Sequence, residues 1–192
     1  MATDNRETLL AALRDATASS HANVERQIDL SVPWTYARYV AFLRATLAVV
    51  QSTEPSLRRC FGDTRFPLLT GPSARLRRDI AGLGASADEL TPQQLPSLSS
   101  DAHAFGAAYV LLGSLLGGQI LARSIAAQLP LAESNLTYLR ASGEVGAAWR
   151  QFTTELNHWG AAAALRARRT TIDVALGMFD AFSEAFAREG MA

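Results

Sequence analysis

From Ala104 to Ala122 the chain carries no charged side chain, and this run restricts the possible folds more than any other feature. Its centre reads "AAYVLLGSLLGGQILAR" (Ala107 to Arg123). A bilayer span takes about 20 predominantly apolar residues, so the run is nearly long enough. It also holds Gly106, Gly113, Gly117 and Gly118, and a glycine inside a helix costs about 0.5–1 kcal/mol relative to alanine. Three roles compete: a membrane anchor, a buried core helix, or a wall that lets another body approach the backbone. Gln119, Ser114, Tyr109 and the glycines lower the apolar character, and no other segment suggests an integral membrane protein. A helix that is apolar all round is more often buried in a core. Gly113-x-x-x-Gly117 matches the small-residue helix-pairing pattern, which is common by chance. At about 100° per residue, Gly106, Gly113 and Gly117 fall on one stripe, with Tyr109 beside it. That stripe suits tight packing against a neighbouring helix, or a flat ligand lying on bare backbone.

The rest of the chain also reads as helical. Apolar residues recur at helical spacing and alternating patterns are scarce, which predicts an all-α, single-domain, multi-helix fold over residues 1–192. A hydrophobic content of 48% supports a sizeable core. A formal net charge of zero gives no general pull toward nucleic acid or an anionic membrane surface. The single cysteine, Cys60, cannot make an internal disulfide, and "MATDNRETLLAALRDA" lacks the apolar centre of a secretory signal. A cytoplasmic setting is therefore expected, without membrane insertion. Thr3 and Asp4 offer an N-cap for a first helix running to about Asp29. Pro33 suits the first turn of a second helix, and Pro55 is expected to break or offset it. "SARLRRDIAGLG" reads as a short helix with a glycine stop, and the uncharged helix should start near Ser99–Asp101. A loop with a helical turn and two further helices complete an expected seven or eight.

Three histidines are present, His21, His103 and His158. A lone histidine is most often structural or exposed. His21, however, shares one side of the first helix with Leu10, Arg14 and Thr17, so its ring should face inward. Glu25 lies one turn on, where a carboxylate can orient an imidazole, and Arg14 two turns back, where it can meet an anionic group. Other chemistries fare worse. A ferritin-like di-metal site needs two Glu-x-x-His pairs and further carboxylates, and only Glu155–His158 matches. No zinc spacing, phosphate-binding loop, nucleotide fingerprint or nucleophile elbow is present. The basic run Arg166–Arg169 reads as a solvated helix end or part of a docking surface for an acidic partner.

Taken together, the two features resemble one family. "LRDATASSHANVE" is similar to the proximal-helix signature of haem oxygenases. "AYVLLGSLLGGQILAR" is similar to their distal-helix signature, a Gly-Ser-x-Leu-Gly-Gly run in the bacterial branch. The order of the two motifs agrees, and "GAAWRQF" resembles a segment of the bacterial enzymes associated with bacteriophytochromes. The resemblance implies a haem-oxygenase-like fold with haem between the first helix and the glycine-rich one. It implies His21 as the iron ligand, with Arg14 and Tyr109 toward the propionates and Glu25 linked to the histidine. Gly113, Ser114, Gly117 and Gly118 would form the distal side where the reaction occurs, Gly118 helping the helix to bend.

The implied reaction uses haem (iron protoporphyrin IX) as both cofactor and substrate. With O2 and electrons the ring opens to biliverdin, releasing iron and CO. The donor would be a ferredoxin or a flavoprotein reductase, with a bilin acceptor as a further partner. Two departures stand out. Ser114 replaces the aspartate of mammalian enzymes, as bacterial members commonly do, so other groups, Arg140 and Arg150 among them, must build the proton network. Leu112 replaces a glutamate frequent in the bacterial motif. The competing readings are a haem carrier or sensor that leaves the ring intact, and a relative of the thiamin-degrading enzymes of the wider fold; the latter do not ligate iron through such a histidine.

Overall fold

A computed structural model describes residues 8–191 except 88, 89, 91, 92, 94, 96 and 97. Among the described residues seven α-helices follow one another: α1 Leu9–Ile28, α2 Tyr36–Phe61, α3 Pro72–Gly82, α4 Asp101–Gln128, α5 Thr137–Arg140, α6 Val145–Ala162 and α7 Leu165–Arg188. Short 3₁₀ turns at Pro67–Leu69, Glu133–Asn135 and Ala141–Glu144 join some of them. No strand occurs among the described residues, as the periodicity predicts.

The helix starts follow capping chemistry. The Thr8 side chain accepts from the amide of Ala11 at the head of α1, and Asn157 on α6 accepts from the amide of Leu10 at 3.0 Å. Thr3 and Asp4, the expected caps, lie outside the described residues. The expectation for Pro33 needs correction: α2 starts at Tyr36, capped by the Thr35 side chain, which accepts from the Arg38 amide. A threonine oxygen satisfies an orphan donor that a proline ring cannot. Pro55 does not end α2 either. The helix continues to Phe61, held by the buried side chains Thr53, Leu57 and Phe61 on either side of the proline. Ser100 caps α4 by accepting from the His103 amide, where the sequence places its start.

α4 and α7 form the centre. α7 packs against α1, α2 and α4, while α6 packs against both α1 and α4. The apolar content of α4 is thus used in the core, where Ala102 to Leu112 form a row buried almost without interruption. α4 is also long and apolar enough to cross a membrane by length and composition, but 56% of its most apolar window is covered by the rest of the fold.

α5 is one turn long and owes its position to α3. The Asp79 carboxylate accepts from the amides of Thr137 and Tyr138, at 3.0 and 2.9 Å, and from the Thr137 hydroxyl. Burial raises the Asp79 pKa above the ordinary value, and these donors oppose the rise.

Candidate functional site

On α1, Leu9, Leu13 and Thr17 follow one another at four-residue spacing and are all buried. His21 is next in that row, and there the row leaves the core. The expectation of an inward-facing ring is therefore corrected: the His21 side chain is 56% exposed. One edge meets the Phe179 ring of α7, with centroids 5.6 Å apart. Nδ1 faces Glu25 Oε2 at 3.5 Å, longer than a close hydrogen bond, so the pair is an electrostatic contact that leaves Nε2 free of this partner. Arg14 is exposed on the same helix.

The glycines of α4 divide into two kinds. A Cβ on Gly106 would collide with the carbonyl oxygen of Thr171 and come 3.0 Å from the Val174 side chain, so this glycine serves the packing of α4 on α7. A Cβ on Gly117 would meet nothing within 4 Å, and one on Gly113 would touch Trp149 at an ordinary 3.7 Å. The expected stripe is real, but its buried end is a helix contact and its outer end is open. Leu116 and Ile120 lie on the same side of the helix and are 41% and 59% exposed. Apolar side chains alternate there with bare backbone, and at Gly117 no described residue covers it. Gly118 is buried, turned about 140° from Gly113, and α4 runs unbroken through it.

Tyr109 stands one turn before Gly113, 9% exposed, with its ring 5.8 Å from that of Trp149 on α6. Its hydroxyl lies 3.3 Å from that of Thr17 on α1. The Tyr109 hydroxyl is thus engaged with α1 rather than turned to the surface. Ser114 is exposed, and its hydroxyl donates to the Leu111 carbonyl at 2.8 Å. Tyr138 is buried close to it. Burial pushes the Tyr138 phenol up to about 12, against the opposing pull of Ser114 and Arg75, so it is a neutral hydroxyl at any ordinary pH. Arg140 pairs with Glu133, and Arg150 is exposed on α6.

The structure therefore links the two sequence motifs. α1 and α4 share α6 and α7 as neighbours and are joined by the Thr17–Tyr109 pair. One turn beyond that pair stand His21 on α1 and Gly113 on α4. Trp149, Phe179 and Thr17 belong to these surroundings but were not assigned a role from sequence. Among the described residues, no three His, Cys, Asp or Glu side chains gather as a metal site. An iron held here would rely on one histidine and on ligands that come with it. A separate hollow, of about 540 Å³, lies off the glycine stripe and is lined by Arg26, Gln27, Asp29, Arg38 and Glu189, among others.

No family model matches the chain. A haem oxygenase of Xanthomonas campestris pv. campestris is 36% identical over 114 residues, covering 59% of this chain and 66% of that protein. The match thus spans just under two thirds of the relative's length. The haem oxygenase of Leptospira interrogans has a TM-score of 0.73 and 19% identity, over 95% of this chain and 100% of that one. The NO- and CO-bound haem oxygenase of Neisseria meningitidis gives 0.75 and 18%, over 95% and 92%. Haem oxygenase-1 of the cyanobacterium Synechocystis, in complex with haem, gives 0.75 and 16%, over the same shares. The structural likenesses show that the fold is the all-α fold of these haem oxygenases, and the Xanthomonas protein supports the resemblance carried by the two motifs.

Proposed function

We infer that this chain belongs to the haem oxygenase family as an enzyme, binding haem and opening its ring to biliverdin with release of iron and CO. The observation that carries this reading is the open, bare backbone at Gly117 on a helix tied to the one that bears a half-exposed His21. The residues present fit the group. A flat macrocycle would need a wall without side chains, apolar flanks and one imidazole to hold its metal. Gly113 with Gly117, Leu116 with Ile120, and His21 supply these in turn.

His21 would hold the iron through Nε2, because Nδ1 faces Glu25. The Glu25 carboxylate favours a proton on Nδ1 and keeps the ring turned. Leu116 and Ile120 would lose their exposure to water against the macrocycle, a favourable burial of roughly 25 cal/mol per Å². Arg14 is assigned to the propionates from its exposed position, and Tyr109 as the ring that packs beside them while its hydroxyl stays on Thr17. Ser114 completes the distal side, and Gly118, turned into the core, is assigned to the bend of the helix there. When bound, haem supplies the site for O2 activation, and the protein supplies orientation and control of water. A reduced ferredoxin or flavoprotein reductase is the proposed electron donor. The likeness around Trp149 points to the bacteriophytochrome-associated branch and hence to a bilin-binding acceptor. The single cysteine supports a cytoplasmic setting.

A second reading, a haem carrier without ring opening, is favoured by Ser114, whose proton is spent on its own helix at Leu111. One titration separates the two. Haemin should produce a histidine-ligated Soret band, and ascorbate or reduced ferredoxin should then bleach it with formation of a bilin. A stable Soret band under reduction leaves the carrier, and no band on haemin addition refutes both.

A further inference from the structure

Thr17 is 2% exposed and Tyr109 9%, so the pair that joins α1 to α4 is hidden from water. Each hydroxyl has one proton to give. Thr17 gives its own to the Leu13 carbonyl, 2.7 Å away and one turn back on the same helix. The proton between the two hydroxyls is therefore that of Tyr109, and the Thr17 oxygen accepts it at 3.3 Å. The contact thus has a direction as well as a length. Thr17 lies one turn before His21, and Tyr109 one turn before Gly113. Trp149, which backs the Tyr109 ring, is also the side chain nearest to Gly113. The hydroxyl pair is thus placed where a change in the spacing of the two helices acts first on His21 and the bare wall.

We propose that Thr17 is a positioning residue: by accepting the Tyr109 proton it seats that ring against Trp149 and fixes the separation of α1 and α4 at His21 and Gly113. What fills the gap rests on the haem-degrading reading; the tie itself does not. Thr17→Val keeps the branched shape and removes the acceptor, Thr17→Ser keeps the acceptor, and Tyr109→Phe removes the donor.

Losing one buried hydrogen bond corresponds to about a fivefold change in affinity. Thr17→Val should weaken haemin binding by about that factor and broaden the electron paramagnetic resonance lines of the ferric complex, as the base loses its fixed seat. Thr17→Ser should restore both. Because Thr17 acts through Tyr109, Thr17→Val should change neither quantity further when Tyr109 is already Phe. Equal effects of Thr17→Val in the two backgrounds, or a Thr17→Val protein identical to wild type, would overturn the proposal. If wild-type protein takes up no haemin, the haem reading fails, and amide hydrogen exchange in the ligand-free protein decides the tie. Thr17→Val and Tyr109→Phe should then speed exchange at the same α1 and α4 amides, with no further gain in the double variant. Independent effects, or none, refute it.

Discussion

Two glycines of one helix make opposite predictions at the scale of single atoms. Gly106→Ala forces a methyl group against the Thr171 carbonyl and the Val174 side chain, and should cost about 2 kcal/mol of stability. Gly117→Ala adds a methyl group in open space within a helix, and should stabilise the ligand-free protein by about 0.5–1 kcal/mol. Urea unfolding of the two variants reads both signs. The same Gly117→Ala methyl group occupies the proposed haem wall, so the more stable protein should turn haem over more slowly, and Gly117→Leu should block it. A Gly117→Ala protein that is both more stable and fully active would show that the bare backbone has no part in the reaction. At His21, alanine should abolish the histidine-ligated spectrum, and added imidazole should restore it by entering the space left behind. An unchanged spectrum would identify a different ligand.

For whole elements, α5 is the most dependent on distant help. A single turn has little stability of its own, and Asp79 gives it three hydrogen bonds. Asp79→Ala leaves those buried donors without an acceptor and should cost about 3 kcal/mol. The pH dependence has a definite sign. The folded state holds the Asp79 proton more tightly than the unfolded chain does, because its pKa is raised above 3.8. The stabilisation from that proton is present at low pH and lost as pH rises through the raised value. The advantage of wild type over Asp79→Asn should therefore grow on acidification toward the ordinary carboxylate range, measured by denaturant unfolding at paired pH values. Asp79 shows how far sequence reasoning reaches. In "SARLRRDIAGLG" it looks like one more charge on a solvated helix, and nothing local marks its partners at 137 and 138. The helices themselves were legible because their apolar spacing is local, as were the Ser100 start and the glycine stop of α3. The Pro33 and Pro55 expectations failed for a related reason. Proline rules are local, while a threonine cap and buried neighbours on both sides of Pro55 decide the actual boundaries.

For the molecule as a whole, haem binding should appear as added stability. With free haemin at about 100 times its dissociation constant, the gain is about 2.7 kcal/mol, read as a higher unfolding temperature. His21→Ala should lose most of that gain. The same global scale explains what the sequence hid of the site. The two motifs stood out because glycines within an apolar run, and a histidine beside acidic and basic neighbours, are unusual in composition. The pairing of Thr17 with Tyr109, the Phe179 ring against His21 and the Trp149 ring beside Gly113 are long-range products of packing. No residue pattern near any of them announces the other partner. The exposed pair Leu116 and Ile120 could have been found, since they share the glycine stripe at helical spacing.

The packing of α1 also sets an order of events during synthesis. Leu9–Ile28 rests on α6 and α7, and those helices are made after it. The segment that bears His21 therefore emerges before its supports and waits, with Leu9 and Leu13 uncovered, until α7 has been made. On the proposed reading, a nascent chain without α7 offers haem an imidazole but no opposing wall, so capture at that stage would be weak and unselective. The dependence of α1 on α7 thus ties the proposed site to the making of α7: chains that stop short of it should be cleared as unfolded material rather than persist with half a site.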